Sequence, residues 1–281
     1  MNCTHIRPRI FEDFCCIADE CPANCCSIGW SITWTAQEVD RLYKAASEPL
    51  RSRISTSFIG DEYKTLKLNS DGECPFLNEG LCSVQQIMGE QYLSYTCRQY
   101  PRISRLCGEV MISSCRPTCY AVMDRLYSDS GCMQLNKNIL DKPIQAIITA
   151  ENEIQQRLSI FEKVSRLLWN NDIHSALKAA AAEYDVQYPD NIQQQFRRRY
   201  GWDIIVSDAE DVPQFALRNI ITALFLEWII TRYDSGASQS DNVSQFLFKA
   251  QAVILGANGA AALCTDRTQL LCSICDLISA L

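Results

Sequence analysis

Sixteen cysteines, most of them crowded into one part of the chain, constrain this sequence more than any other feature. Thirteen fall between Cys3 and Cys132 of a 281-residue chain, and only three lie beyond. A buried cysteine behaves as a small hydrophobic residue, but selection for packing alone would not separate the thiols so sharply. The dense set therefore indicates metal binding, disulfide formation or redox chemistry in the first half of the chain.

The N-terminal sequence and the apolar segments help to choose among these uses. The opening MNCTHIRPRIFEDF contains no apolar segment of the kind that a secretory signal peptide needs. The stretch NIITALFLEWIITRY carries Glu227 near its middle and is too short to span a bilayer, so no membrane partner is expected. A cytoplasmic location is therefore predicted. Because thiols stay reduced there, metal binding is favoured over disulfides.

Short spacings alternate with long inserts among the cysteines. One loop can then supply several ligands, and the insert brings in the others. Only His5 and His174 occur, so we expect an all-cysteine site, which suits either zinc or an iron–sulfur cluster. Neighbouring residues seldom both reach one ion, so one thiol of the adjacent pair in PANCCS is expected to pack instead. The candidate ligands are Cys21, Cys25, Cys26, Cys74, Cys82, Cys97 and Cys115.

Composition divides the chain into two regions. Residues 1–135 are rich in cysteine and broken by proline, glycine and asparagine, whereas residues 136–281 are rich in alanine, leucine, isoleucine and glutamine. The second region is predicted to form at least five helices in a bundle or an orthogonal array. The expected fold class is therefore mainly α, with a loop-rich, metal-binding N-terminal region packed on the helices.

Local signals predict individual elements. Thr35 and Glu38 form a capping box ahead of a helix, and Ser83 with Gln86 forms a second such pair. Pro101 is expected to end the helical stretch that follows this second pair. The segment EVMISSC predicts a short strand, and GANG near the C-terminus predicts a helix break.

Charge and missing motifs exclude several classes of function. The net charge of −7 argues against general nucleic-acid binding, which needs a basic face to displace counterions. The chain has no dinucleotide-binding glycine motif, no P-loop and no HExxH metalloprotease motif. The basic run FRRRY is interpreted as a solvated helix face. No nucleic-acid partner is therefore expected.

The order and spacing of three segments resemble the flagellin lysine-N-methylase family. These segments are CPANCCSIGW, then CPFLNEGLCSVQQIMGEQYLSYTCRQYPR, then SSC, and they run from Cys21 to Cys115. The string TCRQYPR is the most specific part of the likeness. That family belongs to a wider group of cysteine-rich proteins described as binding zinc or an iron–sulfur cluster.

The resemblance implies an enzyme that transfers methyl groups to the ε-amines of surface lysines on flagellin. It also implies S-adenosylmethionine as methyl donor and a [4Fe–4S] cluster on the cysteines. Two features depart from related patterns. Radical-type methionine enzymes use Cys-x3-Cys-x2-Cys, whereas here Cys26 follows Cys25 directly, so that motif is absent. The chain also ends at CDLISAL, where family members are expected to continue.

Methyl transfer to lysine sets requirements that a few residues near Cys97 meet. The amine must be neutral to attack, and free lysine, with a pKa of about 10.4, is protonated. Aromatic faces stabilise a sulfonium, and a carboxylate or tyrosine accepts the proton. The candidate catalytic residues are Tyr95, Tyr100 and Glu90, and Arg98 and Arg102 are the candidates for binding the carboxylate of S-adenosylmethionine.

The alternative function is a non-enzymatic zinc module. In that interpretation the cysteine-rich half is a structural knot and the helices bind a partner. The tyrosines then pack in the core, and the arginines form ion pairs within the fold.

Overall fold

The contacts within the protein divide it into two units. The structure is a computed structural model that describes residues 4–27, 29–30, 32–135, 152–201, 203–207, 211–231 and 236–281. One unit, the helical unit, comprises Met1–Phe14 and Pro101–Leu281, and the other, the cysteine unit, comprises Cys15–Tyr100. The predicted boundary after residue 135 adjoins a stretch outside the described residues and stays a prediction.

Helices dominate the described residues, which confirms the mainly α class. They are α1 (Arg9–Asp13), α2 (Ala36–Ala45), α3 (Leu50–Thr56), α4 (Ser83–Met88), α5 (Tyr95–Gln99), α6 (Tyr120–Ser128), α7 (Asn152–Asn170), α8 (Ile173–Glu183), α9 (Ile192–Tyr200), α10 (Gln214–Thr231), α11 (Gln239–Leu263) and α12 (Arg267–Ala280). The strands are β1 (Thr4–Ile6), β2 (Thr33–Thr35), β3 (Phe58–Ile59), β4 (Tyr63–Leu66), β5 (Leu77–Asn78), β6 (Leu81–Cys82), β7 (Arg102–Cys107) and β8 (Val110–Cys115).

Helix α10 lies at the centre of the helical unit. Every side chain from 219 to 230 is buried, as expected of a helix whose sequence is apolar on most sides. Two polar residues in this stretch have partners at the edge of the core. Asn219 donates to the carbonyls of Leu126 and Asp129, and Glu227 pairs with Arg116. Such pairing is what allows polar groups to be buried without a large penalty.

Helix α11 continues through the glycines that were expected to break it. Gly256 faces Leu277 and Gly259 faces the Ile205 carbonyl, each so closely that a Cβ would collide. The prediction of a break was wrong because these glycines serve close packing rather than a turn. Of the helices described, α11 is long and apolar enough to cross a membrane, and 72% of its apolar window is buried inside the protein. Such burial is typical of a core helix.

A three-stranded sheet, ordered β1-β8-β7, packs against α10 in the helical unit. Strand β8 confirms the strand predicted from EVMISSC. Its antiparallel partner β7, which the sequence did not reveal, places Arg102 opposite Cys115 and Cys107 opposite Val110. Strand β1 runs parallel to β8. The sheet therefore holds one end of the TCRQYPR string against the helical core.

The cysteine unit is built from short elements around its own small core. Strands β2, β4 and β3 form one antiparallel sheet, and β5 and β6 form a hairpin. The predicted capping box is confirmed, because Thr35 Oγ1 accepts from the Glu38 amide and the Glu38 carboxylate accepts from the Thr35 amide. The second predicted pair is wrong. Helix α4 begins at Ser83 itself, whose hydroxyl accepts from Arg53 at 3.4 Å.

The ion pair between Arg116 and Glu227 generates a stability prediction. Glu227 is 8% exposed and Arg116 is 34% exposed, so replacing the arginine leaves the more buried charge without this cation. We expect Arg116→Met to lower the free energy of unfolding by about 2 kcal/mol, a value discounted for the partial exposure of the arginine. Urea unfolding followed by circular dichroism measures the change.

The matched control is Lys163→Met. Lys163 pairs with Glu183 where both side chains are more than 40% exposed, so its loss should stay within about 0.5 kcal/mol. Equal losses in the two variants would show that burial of Glu227 does not set the strength of its pair.

Candidate functional site

Backbone and side-chain hydrogen bonds hold two cysteine-bearing loops together in the cysteine unit. Asn24 Nδ2 donates to the Gly80 carbonyl at 2.5 Å, and Asn24 Oδ1 accepts from the Cys26 amide at 2.9 Å. The Cys74 amide donates to the Cys26 carbonyl at 2.8 Å. Gly80, at φ 79°, lies in the tight turn of the hairpin that ends at Cys82. The loop carrying Cys26 is therefore fixed to the turn of this hairpin and to Cys74, which precedes its first strand.

Four thiols meet as a result, and we call them the thiol cluster. The pKa of the Cys26 thiol responds to the thiols of Cys25, Cys74 and Cys82, so the four side chains are close neighbours. Both members of the adjacent pair thus take part, although one of them was expected to pack elsewhere. Sequence spacing identified all four as candidates. It did not show that Cys26 would lie between the other three.

The proton affinities of the four thiols diverge. The pKa of Cys25 falls to about 7 and that of Cys82 to about 6, in each case chiefly because Cys26 hydrogen-bonds to the sulfur. The pKa of Cys74 is also lowered by Cys26. The pKa of Cys26 rises, first through its hydrogen bond with Cys25. Cys26 therefore keeps a proton that stabilises the thiolate forms of its neighbours.

Cys97 is electrostatically coupled to the thiol cluster. Its pKa rises to about 11, mainly through loss of hydration, with smaller repulsive contributions from Cys82, Cys25 and Cys74. The side chain still reaches solvent at its surface, so neighbouring groups crowd it on some sides only. Its amide donates to Ser94 Oγ at 3.0 Å, which caps α5. The cap fixes where the TCRQYPR string begins.

The remaining predicted ligands lie in different settings. Cys21 follows the turn Ala18–Glu20, and Asp19 of that turn packs against Gly80 of the hairpin. Cys115 belongs to the helical unit, where burial raises the pKa of its thiol to about 12 and the thiol donates to the Ile10 carbonyl at 3.9 Å. The surroundings of Cys115 are those of a packing cysteine.

Several cysteines outside the thiol cluster have the surroundings of packing residues. Cys107, Cys132 and Cys275 are buried in the hydrophobic core of the helical unit. Cys272, three residues before Cys275 on α12, is only half-buried. Every cysteine among the described residues is a free thiol, so no disulfide forms among them.

The four thiols of the cluster are near one another, but they do not have the geometry of a metal coordination shell. Within the described ranges, no group of three or more histidine, cysteine, aspartate or glutamate side chains could hold a metal ion as it stands. The shared influence on their pKa values indicates that the four thiols are neighbours, but they do not surround a common point. The sulfurs would have to turn inward for a cation to be enclosed.

The predicted catalytic residues lie on α5 and the turn before it. Glu90 is exposed on the turn Glu90–Tyr92, and Tyr95 is 67% exposed at the first position of α5. Tyr100 caps the C-terminal end of α5, and its ring meets Trp30 edge-on with centroids 4.4 Å apart. Trp30 lies in the CPANCCSIGW segment but received no role from the sequence.

The two arginines predicted to bind the methyl donor differ in whether their N–H groups already have hydrogen-bond partners. The Arg102 guanidinium donates to the carbonyls of Phe11 and Phe14 at 3.2 and 2.8 Å and lies over both rings. It therefore has a structural role in the helical unit. Arg98, on α5, has a solvent-shielded Nε atom with no hydrogen-bond partner in the part of the chain that the structure describes. Arg98 is the more available of the two.

Comparison with known proteins gives three relatives at the same level of identity. The chain is 28% identical over 141 residues to the protein named Flagellar biosynthetic protein FliU from Salmonella muenchen, a match covering 48% of this chain and 83% of that protein. It is 28% identical over 144 residues to proteins named Lysine-N-methylase from Salmonella choleraesuis (strain SC-B67) and Salmonella typhimurium. Those matches cover 49% of this chain.

The chain spans 36% of the length of the two lysine-N-methylases that it matches. No family model matches the sequence, and no solved structure matches it. The chain is therefore similar over about half its length to lysine-N-methylases and to a flagellar biosynthetic protein.

The divergent pKa values predict selective alkylation of the thiols. In reduced, metal-free protein at pH 7, iodoacetamide should label Cys25, with its pKa of about 7, at least tenfold faster than Cys97, with its pKa of about 11. Both side chains reach solvent, so exposure alone does not favour either of them. Peptide mass spectrometry over a time course measures the two rates.

The variant Cys26→Ala tests the cause of this difference. Removal of the Cys26 thiol takes away the largest contribution to the lowered pKa of Cys25, so labelling of Cys25 at pH 7 should slow. Cys132→Ala, in the core of the helical unit, is the control and should leave the rate unchanged. An unchanged Cys25 rate in Cys26→Ala would contradict the hydrogen-bonded cluster.

Proposed function

We propose that this protein is a cytoplasmic protein-lysine N-methyltransferase that methylates surface lysines of flagellin with S-adenosylmethionine. The observation that carries the proposal is the similarity to proteins named Lysine-N-methylase and to a flagellar biosynthetic protein. The segments that resemble that family, from Cys21 to the TCRQY part of TCRQYPR, lie in the cysteine unit with the thiol cluster. The motifs that carry the family resemblance and the thiol cluster therefore lie in the same region.

The thiol cluster is proposed to hold a thiophilic metal centre, with a [4Fe–4S] cluster as the first choice and zinc as the alternative. The chemistry of the donors fits, because thiolates bind both, and Cys25 and Cys82 lose their protons near neutral pH. When bound, the centre would cross-link the loops through metal–thiolate bonds. The proposed ligands are Cys25, Cys26, Cys74 and Cys82, with Cys97 and Cys21 as the nearest further candidates.

The chain's own residues would prepare the lysine for transfer. The Glu90 carboxylate, or Tyr95 as its phenolate, would accept the proton from the substrate ammonium, leaving an amine with a lone pair. Both side chains are exposed, as access to a protein substrate requires. The amine nitrogen then bonds to the methyl carbon, and the carbon–sulfur bond breaks with its electron pair going to sulfur. The products are methyllysine and S-adenosylhomocysteine.

Arg98 is proposed to bind the carboxylate of the methyl donor. A guanidinium and a carboxylate form strong, directional hydrogen bonds, and the shielded Nε atom of Arg98 lacks an acceptor among the described residues. Arg102 is less suited because its donors already bind two carbonyls. Arg98 would thus orient the donor near the aromatic groups of α5.

Metal content tests the proposed centre. Protein purified or reconstituted without oxygen should be brown and carry iron and sulfide in equal amounts, and Cys82→Ser should lower both by more than half. The control Cys132→Ser, altered in the core of the helical unit, should keep them. A colourless protein with one zinc per chain would contradict the iron–sulfur assignment. Full loading of Cys82→Ser would contradict the ligand set.

Methyl transfer tests the proposed activity. Metal-loaded protein incubated with S-adenosylmethionine and flagellin should add methyl groups to lysines, visible as single-methyl mass increments in flagellin peptides. Arg98→Met should slow the reaction at least tenfold at low donor concentration, because the donor loses a charged partner. Arg53→Met, altered on α3, is the control. Absence of increments with fully loaded protein would contradict the enzyme assignment.

A further inference from the structure

Two aromatic rings form a right-angled corner in the cysteine unit. The ring centroids of Trp30 and Tyr100 lie 4.4 Å apart with an interplanar angle of 82°, and both side chains are half-buried. Trp30 follows Gly29, which has φ 72° and approaches the Gly72 carbonyl so closely that a Cβ there would lie 3.3 Å from its oxygen. Both constraints favour glycine at position 29.

A shielded donor lies on the same short helix as one of these rings. Arg98 precedes Tyr100 by two residues, and its Nε N–H finds no acceptor among the described residues. A shielded polar group without a partner is destabilising, so a ligand that supplies an acceptor would be favoured there. The aromatic corner and the Arg98 donor together suit a molecule with a positive group and a carboxylate.

We propose that the corner of Trp30 and Tyr100 holds the sulfonium of the methyl donor while Arg98 binds its carboxylate. The inference rests on the proposed function and adds Trp30 as a donor-binding residue. A cation over an aromatic face is attracted by the ring quadrupole, and two perpendicular rings can contact one onium group together. S-adenosylmethionine carries its sulfonium and carboxylate in the same amino-acid moiety. S-adenosylhomocysteine lacks the charge.

Neighbouring tyrosines are less suited to this role. The ring of Tyr92 already has the Arg41 guanidinium 5.5 Å from its centroid, so that face is occupied by a cation. Tyr95 is exposed and has no second ring beside it in the described part of the chain. The charge of the unit also favours a cationic ligand, since eleven acidic and seven basic residues lie between Cys15 and Tyr100.

Calorimetric titration of the full chain with S-adenosylmethionine and with S-adenosylhomocysteine tests the inference. Trp30→Leu should weaken binding of the sulfonium about five- to thirtyfold and leave binding of the neutral product nearly unchanged. Arg98→Met should weaken both, because both ligands carry the carboxylate. Tyr100→Leu removes the other ring of the corner and should also weaken binding of the sulfonium selectively. Far-ultraviolet circular dichroism checks that each variant is folded.

Tyr63→Leu is the matched control. Tyr63 is 63% exposed on β4 of the same unit, and its replacement should change neither affinity. Equal weakening of both ligands by Trp30→Leu, or no weakening, would overturn the inference while leaving the proposed activity intact. Tighter binding of trimethyllysine than of the donor would assign the corner to the product and overturn it as well. Failure of the wild type to bind either nucleoside would contradict the proposed function itself.

Discussion

The coupling between the Cys26 thiol and three neighbouring thiols is the interaction on which the chemistry of the cysteine unit depends. One retained proton at Cys26 stabilises negative sulfur at Cys25, Cys74 and Cys82, so the group is prepared to exchange protons for a cation. A short turn at Gly80 and the two hydrogen bonds of Asn24 hold the sulfurs near one another. The fold therefore brings the four proposed thiol ligands close together, and metal binding would set their final coordination geometry.

Each unit has a separate source of stability. The helical unit depends on α10, whose side chains are buried from 219 to 230 and whose few polar groups have partners at the margin of the core. The cysteine unit has only a small apolar core around residues such as Trp34, Leu42 and Phe76. A small core leaves little surplus of hydrophobic stabilisation, which is the setting in which metal–thiolate bonds add most to folding.

Periodic and local signals in the sequence were sufficient for much of the fold. The apolar run of α10 and the capping box at Thr35 were predicted correctly, because each depends on neighbours within one or two turns of chain. The helix break predicted at the glycines of α11 was wrong because these glycines serve contacts with Leu277 and the Ile205 carbonyl, which are distant in sequence. The capping pair predicted at Ser83 was wrong for a related reason. The Ser83 hydroxyl accepts a hydrogen bond from Arg53 on another helix instead of capping the first turn of its own helix.

In the candidate site, too, some features could be predicted from the sequence and others depend on tertiary contacts. Cysteine spacing identified all four clustered thiols as candidates, but only the fold showed that Cys26 is the thiol coupled to the other three. The contact between Trp30 and Tyr100 also became visible only in the fold. Arg98 and Arg102 look equivalent in the sequence, and tertiary contacts alone separate them.

X-ray absorption spectroscopy at the metal edge of the loaded protein tests the central claim most directly. The account predicts a first shell made of sulfur only at about 2.3 Å, together with iron–iron scattering. A first shell dominated by oxygen or nitrogen would contradict the account.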